Sequence, residues 1–270
     1  MTEPTPTSRP SAAELQDALQ AALSWWDDMG VDVPEIAPPK PVTRRSKAAP
    51  KPAASPKPAV RAAAAPEDID RAALAQTLAK AAPTLEALKD AISKFDAGLL
   101  SDHAKTAVFA RGNPAAKIMV VGEAPGSQED EAGLPFIGQS GQLLDKMFAA
   151  IGLGTDEIYV TNICNWRPPQ NRDPSPDEMA FCRPLIQRHI ALAAPEIVVI
   201  VGGVSLSALT GQTGIMKARG RWIDLTIEDR NIPAMPLYHP AFLLRRPELK
   251  RDAWRDLLAI KARLEGEPAP

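Results

Sequence analysis

The amino-acid sequence predicts an α/β fold in which helices cover both faces of a mainly parallel β-sheet. Beyond Asn113, short apolar segments typical of strands alternate with longer segments of helical periodicity. This alternation favours a parallel sheet, because each helix returns the chain to the edge at which the next parallel strand begins. About 200 of the 270 residues remain once a Pro-rich stretch is set aside, which is enough for one domain with a sizeable core.

The predicted elements follow in order along the chain. Two helices lie within residues 67–94 and separate near Pro83, because a Pro-Thr pair suits the first turn of a helix. The apolar pattern then predicts strands over residues 117–122, 157–162, 196–203 and 233–238, and helices over residues 140–153 and 175–195, from Ser205, and after Pro247. In folds of this class, ligands bind beyond the carboxyl ends of the strands.

The first 33 residues form an acidic segment with a predicted amphipathic helix over residues 11–28. Ser11 and Glu14 have the spacing of a capping box, and apolar residues follow at helical intervals. Two interpretations are open: the helix docks on its own domain, or it binds the groove of a protein partner.

Residues 34–66 predict a basic, disordered linker, which precedes a folded domain expected over residues 67–265. The linker contains nine of the 28 prolines of the chain, and no acidic residue lies between Glu35 and Glu67. Proline stiffness and the lack of large apolar side chains keep such a segment extended and solvated. Its positive charge suits loose contact with DNA phosphates, although a plain spacer has the same composition.

The composition excludes several classes of protein. No apolar run is long enough to span a membrane, and the N-terminus lacks the layout of a secretion signal. Cys164 and Cys182 are too few for a disulfide framework or for an ordinary four-cysteine metal site. The formal net charge of −2 argues against a surface that is basic throughout. We therefore expect a cytoplasmic monomer without membrane contact.

Polar residues follow three of the predicted strands. The first such segment carries Glu123, Ala124 and Glu129 in a loop shaped by Gly and Pro. An acidic turn of this kind is usually only solvated. Phe136, however, follows shortly afterwards among glycines, where no helix or strand pattern explains an aromatic residue. This loop is therefore a candidate ligand site.

The other two segments add an amide, two cations and an imidazole. Asn162 ends a strand, and its side chain can cap a turn or read both donors and acceptors of a nucleobase. Arg167 and Arg172 follow in a Pro-rich loop and suit contact with phosphate. His239 ends the last strand beside a proline, which makes it the best candidate among the histidines for a hydrogen-bond donor in a site.

Together these segments resemble the uracil-DNA glycosylases, and among them the family 4 type. The resemblance spans about residues 85–262, and the matching stretches are GEAPGSQED (122–130), LPFIGQSGQLLD (134–145), YVTN (159–162), WRPPQNRDP (166–174) and YHPAFLLRRP (238–247). It implies a three-layer α/β/α fold and a monofunctional repair enzyme that hydrolyses uracil from DNA and leaves an abasic site.

The resemblance also implies the roles of the pocket residues. Phe136 would stack on the flipped base, Asn162 would bind its polar edge, and Ala124 would belong to the same substrate site. The catalytic residues would be Glu123, Glu129 and His239, with the histidine near the base oxygen that gains negative charge. These roles suit the reaction, because loss of the base creates a cation-like sugar and an anionic leaving group.

DNA contact is expected mainly after His239, in a loop that would lie on the duplex. Its residues would be Leu243 or Leu244 as a wedge and Arg245 or Arg246 on phosphate, together with Arg167 and Arg172. Three further basic residues extend this footprint or belong to an ordinary charged surface, namely Lys217, Arg219 and Arg221.

The sequence departs from the family pattern at the metal cofactor. Family 4 enzymes generally hold a four-iron cluster on four cysteines, and the matching positions here are Phe95, Gly98, Trp166 and Cys182. Two cysteines in the whole chain cannot satisfy a cluster that needs four thiolates. We therefore expect no metal and no cofactor, with Phe95 and Trp166 as apolar filling for the space.

This departure keeps a second hypothesis open. A DNA-binding protein that has kept the glycosylase fold but lost catalysis would share the same motifs, and excision of other deaminated bases is a further alternative. Only an active glycosylase would produce alkali-labile breaks at uracil. A nucleotide-phosphate loop is disfavoured, because GEAPG lacks the Lys-Ser/Thr pair and the glycine spacing of such loops.

Overall fold

The computed structural model describes residues 70–266. The helix predicted over residues 11–28, the linker predicted over residues 34–66 and the first three residues of the predicted folded domain lie outside this range.

The two predicted N-terminal helices are present and are separated near Pro83. Helix α1 (Arg71–Ala81) begins after Asp70, whose side chain accepts a hydrogen bond from the Ala73 amide. Helix α2 (Leu85–Ser93) begins after Thr84, which caps it in the same way. Pro83 thus precedes the cap and lies outside the first turn.

The next elements include three that the sequence pattern did not predict. Helix α3 (Leu99–His103) and strand β1 (Ala110–Gly112) are too short to show a hydrophobic period. Helix α4 (Ser127–Ala132) replaces part of the predicted acidic loop. The predicted elements of this region are confirmed with slightly shorter bounds, as β2 (Ile118–Gly122), α5 (Gln139–Ala149) and β3 (Ile158–Asn162).

The C-terminal half continues the alternation of helices and strands. Its elements are a 3-10 turn (Pro169–Asn171), α6 (Pro176–Ala193), β4 (Ile197–Val201), α7 (Gly203–Thr210), α8 (Ile215–Ala218), β5 (Ile223–Ile227), β6 (Arg230–Leu237), α9 (Pro240–Arg245), a second 3-10 turn (Pro247–Leu249) and α10 (Lys250–Glu265). No helix in residues 70–266 has both the length and the apolarity that crossing a bilayer requires.

The six strands of residues 70–266 form one sheet in the order β1-β3-β2-β4-β6-β5. The four inner strands are parallel, which confirms the mainly parallel sheet, and the two edge strands are antiparallel. Strand β5 was not predicted, and β6 begins before the predicted Pro233. Both differences arise from a hairpin in which prolines at 233 and 236 obscure the strand pattern.

Helices pack on both faces of the sheet, so the three-layer α/β/α architecture is confirmed. Along β2, Met119 and Val121 face a core formed with α1, α2 and α6, whereas Ile118 and Val120 face a second core formed with α5 and α10. Strands buried on both faces read as continuous apolar runs, which is why the sequence revealed them.

The parallel strands bring their carboxyl ends to one edge of the sheet. Gly122 of β2 pairs with Asn162 of β3, and the register of β4 with β6 pairs Val201 with Leu237. The three polar segments found in the sequence leave the sheet at this edge, where α/β folds bind their ligands.

Candidate active site

Phe136, Asn162 and His239 come together at the carboxyl edge of the sheet. A Cβ at Gly122 would overlap both the Asn162 side-chain oxygen and the Phe136 ring, so these two groups meet over the glycine. The rings of Phe136 and His239 lie with their centroids 5.8 Å apart at an interplanar angle of 30°. Three residues that are far apart in sequence thus form one site.

Asn162 presents an unpaired polar atom to this site. It ends β3 and is 2% exposed, and its Oδ1 atom has no hydrogen-bond partner among the described residues. A buried amide oxygen without a partner costs about 1–3 kcal/mol. The cost is relieved if a ligand donates a hydrogen bond to this oxygen.

Phe136 has a backbone conformation that is unusual for an aromatic residue. Its φ angle is 54°, in the left-handed region, and the residue is 6% exposed. Arg111 of β1 donates from Nε to the Pro135 carbonyl at 2.8 Å and pairs with Asp145 of α5 at 2.6 Å. Gly141 lies against the Phe136 carbonyl, where a Cβ would overlap it. The backbone beside Phe136 is therefore held by a hydrogen bond from β1 and by close packing against α5.

Glu129 fixes the same loop from the other side. Its Oε1 accepts hydrogen bonds from the amides of Ile137 at 3.0 Å and Gly138 at 2.9 Å, and its Oε2 accepts one from Gly126 at 3.2 Å. Both carboxylate oxygens are thus engaged by the backbone. This geometry gives Glu129 a structural part in positioning the loop that carries Phe136, and its catalytic role stays a prediction.

His239 caps helix α9 and is neutral. Its Nδ1 accepts a hydrogen bond from the Ala241 amide at 3.1 Å. The pKa of His239 is lowered to about 4, mainly by burial and also by the charge of Arg245, whereas Glu129 opposes both. A neutral imidazole whose Nδ1 accepts must carry its proton on Nε2, so His239 offers a hydrogen-bond donor to the site.

Glu123 follows directly after β2. Its carbonyl accepts a hydrogen bond from the Cys164 amide at 2.9 Å, which extends the pairing of β2 and β3 by one residue. The pKa of Glu123 is raised to about 7, mainly by burial and also by the charge of Asp173. The neighbouring Ala124 is half-buried and packs against the core on the α6 side of the sheet.

The two arginines of the Pro-rich loop that were predicted to bind phosphate already have partners within the protein. Arg172 donates to both carboxylate oxygens of Glu178, at 2.7 and 2.6 Å, and this contact lowers the pKa of Glu178. Arg167 is half-buried and donates to Asn171 at 2.7 Å. Arg172 thus braces the loop through a bidentate ion pair, and its predicted contact with phosphate stays a prediction.

The segment after His239 is a helix, which corrects the predicted loop. Leu243 is fully buried in the core beneath α9, so it cannot serve as a wedge in DNA. Leu244 is half-buried, and Arg245 and Arg246 are exposed. A helix turns successive side chains by about 100°, and this turn sends Leu243 inward and leaves its neighbours at the surface.

Of the three additional basic residues, one pairs with a buried carboxylate and two lie at the surface. Arg219 pairs with the buried Asp256 of α10 and lies over the Tyr238 ring at 5.3 Å, so it supports the fold instead of extending a DNA footprint. Lys217 and Arg221 line a polar surface cavity of about 370 Å³.

Aromatic side chains occupy the positions at which the family resemblance places a metal cluster. The ring of Phe95 lies 5.8 Å from that of Trp166 and 5.6 Å from that of Phe181. All three residues are buried in the same core as Cys182. The donor set does not fit an iron-sulfur cluster, because Phe95, Gly98 and Trp166 supply no thiolate.

The two cysteines do not supply the missing ligands. Both thiols are free and buried, and Cys164 donates to the Trp166 carbonyl at 3.2 Å. Burial raises the pKa of the Cys182 thiol, and the nearby Cys164 adds to the increase, which favours the protonated form over the thiolate that metals need. Within residues 70–266, no group of three or more His, Cys, Asp or Glu side chains is arranged to hold a metal ion.

Four residues of the site carried no signal that sequence reasoning used. Arg111 lies on an edge strand that was not predicted, and Asp173 stood unassigned in the Pro-rich loop. Gly122 and Gly141 were visible only as parts of motifs. In the structure, a side chain at either position would overlap Phe136, so glycine is needed at both.

Comparison with known proteins identifies the family. Residues 109–258, more than half of the chain, match the family described as the Uracil DNA glycosylase superfamily. The chain belongs to this superfamily. The resemblance inferred from the motifs is therefore confirmed.

Several similar members of the superfamily carry the same type designation. The Type-4 uracil-DNA glycosylase of Sulfurisphaera tokodaii is 36% identical over 66% of this chain and 84% of its own length. The protein of the same name from Saccharolobus solfataricus is 35% identical over 68% of this chain and 88% of its own. That from Thermotoga maritima is 32% identical over 68% and 96%.

The packing around Phe136 leads to a testable prediction. Replacing Gly141 by Ala adds a Cβ that overlaps the Phe136 carbonyl, so we expect the free energy of unfolding to fall by about 1–3 kcal/mol in denaturant titration. Helix propensity alone predicts the opposite change, because Ala favours helix over Gly by about 1 kcal/mol. As a control, Gly203→Ala in α7 places its Cβ 4.0 Å from Ile215, so it should be neutral or slightly stabilising. Full stability of Gly141→Ala would contradict this account of the loop.

Proposed function

We propose that this protein removes uracil from DNA by hydrolysing its N-glycosidic bond, leaving an abasic site and an intact phosphodiester backbone. The observation that carries the proposal is the buried, unpaired oxygen of Asn162, next to the rings of Phe136 and His239. Membership of the superfamily, and the names of the similar Type-4 enzymes, support the same activity.

In the proposed complex the base leaves the duplex and enters the site at the edge of the sheet. Phe136 stacks on its ring, and Asn162 accepts a hydrogen bond from the N3–H of uracil through Oδ1. Cytosine has no hydrogen at this nitrogen and would leave the Asn162 oxygen unpaired. The cost of that unpaired group favours uracil over cytosine.

In the proposed reaction the bond between the base and C1′ of the deoxyribose breaks, and its electron pair leaves with the uracil. The Nε2–H of His239 donates to the base oxygen that becomes negative. Water then forms the new bond to C1′ and gives a proton to the Glu123 carboxylate, whose charge also favours the cation-like sugar. Glu129 takes no part in proton transfer and holds the Phe136 loop in place.

We propose that DNA lies over α9 and the neighbouring Pro-rich loop. Leu244 then contacts the duplex, and Arg245 and Arg246 contact phosphates, since all three remain at least partly exposed. Arg167 of the Pro-rich loop, which donates to Asn171, is proposed as a further contact. The enzyme is proposed to work as a monomer in the cytoplasm, and the protein partner predicted for residues 11–28 stays a sequence-based prediction.

We propose that the enzyme works without an iron-sulfur cluster. The support is the packing of Phe95, Trp166 and Phe181 in one core, together with the protonated state that burial favours for the Cys182 thiol. These aromatic contacts connect the segment after α2 with the start of the Pro-rich loop, a connection that covalent ligation would otherwise provide.

The pocket is tested by truncating its two polar side chains. We expect Asn162→Ala and His239→Ala each to reduce excision by about 100-fold or more, because each removes a hydrogen bond to the base. The measurement is strand cleavage by alkali at a single uracil in a labelled oligonucleotide. The exposed residues His103 and Asn231 provide matched controls, and their Ala variants should retain full activity.

Unchanged activity in both folded pocket variants would reject the proposed site. Binding of DNA by the wild-type protein without any excision would instead support the inactive, DNA-binding alternative.

The role of Glu123 predicts a pH dependence. If its ionised form accepts the proton from water, kcat/KM should rise about tenfold per pH unit below pH 7 and level off above it, since the pKa of Glu123 is raised to about 7. We expect Glu123→Gln to lose both this limb and most of the activity. The matched control is Glu131→Gln, at an exposed carboxylate that pairs with Lys105 at the surface.

Unfolding of the same variant provides an independent check. The folded pKa of about 7 lies above the ordinary value of 4.5, so the stability that protonated Glu123 contributes is complete below pH 4.5 and is lost as the pH rises through 7. Glu123→Gln mimics the protonated form, so it should melt at a higher temperature than wild type at pH 8. An equal difference in melting temperature at pH 4.5 would contradict the raised pKa.

The absence of a cluster is tested by metal analysis of protein purified without oxygen. We expect active protein with no stoichiometric iron and no visible absorbance, because three of the four ligand positions lack a thiol. Stoichiometric iron with brown colour would overturn the proposal.

A further inference from the structure

The cavity lined by Lys217 and Arg221 takes no part in the pocket described above. Its volume of about 370 Å³ lies within the range of about 300–1,000 Å³ that is typical of ligand sites. Besides the two cations, it is lined by an amide, a hydroxyl, an indole and two aliphatic side chains, namely Gln212, Thr213, Trp222, Ala218 and Ile223. The cavity therefore combines positive charge with hydrogen-bond donors.

The charge of this cavity is not neutralised by the described part of the chain. None of the side chains of residues 70–266 that line it is acidic, and no carboxylate in this range pairs with Lys217 or Arg221. Arg263 of α10 adds a third cation, whose guanidinium lies 4.4 Å from the centre of the Trp222 ring. Asp224 follows in β5 but does not line the cavity.

Cations on other surfaces of the domain have carboxylate partners. Lys94 pairs with Asp90 at 2.7 Å, and Lys117 pairs with Glu196 at 3.1 Å. Lys217 and Arg221 instead line the same cavity as like charges, which repel each other. A bound anion relieves this repulsion and gains hydrogen bonds from both side chains.

The segment that forms the cavity runs beside the carboxyl end of β6. The Gly220 amide donates to the carbonyl of Pro236, one residue before β6 ends, at 3.2 Å. Ile223 then begins β5 and pairs with Ala234 of β6. Arg221 and Trp222 lie between these two attachments, so the cavity borders the outer side of β6.

The other end of the same segment lies next to the candidate active site. Ile215 begins α8, and a Cβ at Gly203 in the first turn of α7 would lie 4.0 Å from its side chain. The preceding residue, Gly202, is adjacent to His239, since a Cβ there would lie 3.4 Å from the Cβ of the histidine. The cavity and the pocket are therefore neighbours on the domain.

The cavity also continues the path proposed for DNA. That path runs from the Pro-rich loop, which follows β3, to α9, which follows β6, and β5 is the next strand in the same direction. Neighbouring strands lie about 4.8 Å apart, so the four spacings from β3 to β5 amount to about 19 Å. A duplex rises about 3.4 Å per base pair and covers this span with about six base pairs.

We propose that the cavity is a second binding site for the DNA backbone, in which Lys217 and Arg221 contact phosphates that flank the uracil on one side. Gln212 and Thr213 donate further hydrogen bonds to the same phosphates, and the contact is independent of base sequence. The position relative to the uracil rests on the proposed function, which places the flipped base beside Phe136.

The first test measures the salt dependence of DNA binding. Fluorescence anisotropy follows binding of a labelled duplex of about 30 base pairs without uracil, so the measurement does not require excision. Each phosphate contact contributes about 1 to the slope of log K against log salt concentration. We expect Lys217→Gln/Arg221→Gln to make this slope shallower by about 2 and to weaken binding about tenfold at low salt.

Lys117→Gln/Arg230→Gln is the matched control, because it removes the same two residue types and the same charge. Lys117 directly precedes β2 and Arg230 begins β6, so both lie near the amino ends of the strands, away from the site. Both are exposed, and the surface ion pair of Lys117 contributes little to stability. The control should keep the slope and the affinity of wild type, and circular dichroism should show that all three proteins are folded.

The second test locates the contact along the DNA. Excision is measured as kcat/KM on a uracil duplex with about ten base pairs on each side, and on two duplexes in which one flank is cut to about two. Wild type should exceed the double variant about tenfold on the full duplex and on one of the shortened duplexes. The difference should vanish on the other, which lacks the flank over the cavity.

Occupancy of the cavity has its own spectroscopic reporter. The indole N–H resonance of Trp222, assigned with Trp222→Phe, should move when the long duplex is added. Movement with inorganic phosphate but not with the duplex would assign the cavity to a free anion and overturn the proposal.

The remaining outcomes separate the cavity from the proposed function. An unchanged salt slope in Lys217→Gln/Arg221→Gln, or an equal change in the control, would overturn the DNA site and leave the glycosylase intact. A shallower slope in a protein whose wild type excises no uracil would support the site and overturn the proposed reaction. Wild-type protein that does not bind DNA at all would overturn both.

Discussion

The Glu129 carboxylate is the constraint on which the site depends. Its three hydrogen bonds to backbone amides close the loop between α4 and α5, in which Phe136 has a left-handed backbone conformation. Such a conformation costs about 1–3 kcal/mol for a residue other than glycine, so it persists only where the surroundings determine it. Here the surroundings include Arg111 and Gly141, and the result is an aromatic ring held against Asn162 before any ligand arrives.

Burial shifts the pKa values of both candidate catalytic side chains, His239 and Glu123. Because removal from water disfavours charge, it lowers the pKa of His239 to about 4 and raises that of Glu123 to about 7. The imidazole is thus a neutral donor at neutral pH, while the carboxyl group is poised between acid and base. The departing nucleobase gains negative charge and is stabilised by the hydrogen-bond donor. The attacking water needs the carboxyl group as a proton acceptor.

The aromatic residues at and near the expected cluster positions connect the same segments that a cluster would connect. In the family resemblance, a cluster would join the segment after α2 to the Pro-rich loop and to α6. Phe95, Trp166 and Phe181 join the same three elements by aromatic packing. Rings buried together contribute apolar area and edge-to-face contacts, and these need neither a metal nor an oxidation state. The Pro-rich loop that carries Asp173 is thereby anchored at its start by packing and at its end by Arg172 and Glu178.

The sequence by itself determined the fold class, the inner strands and the three polar segments. Apolar runs and helical periods are local, and the topology of a parallel sheet places the ends of its strands at one edge. Only the tertiary structure decided what the individual side chains do. Glu129 is a brace because its amide partners lie eight and nine residues ahead, and Leu243 is core because α9 turns it inward. The short edge strands leave no periodic pattern, since they depend on partner strands that only folding brings alongside them.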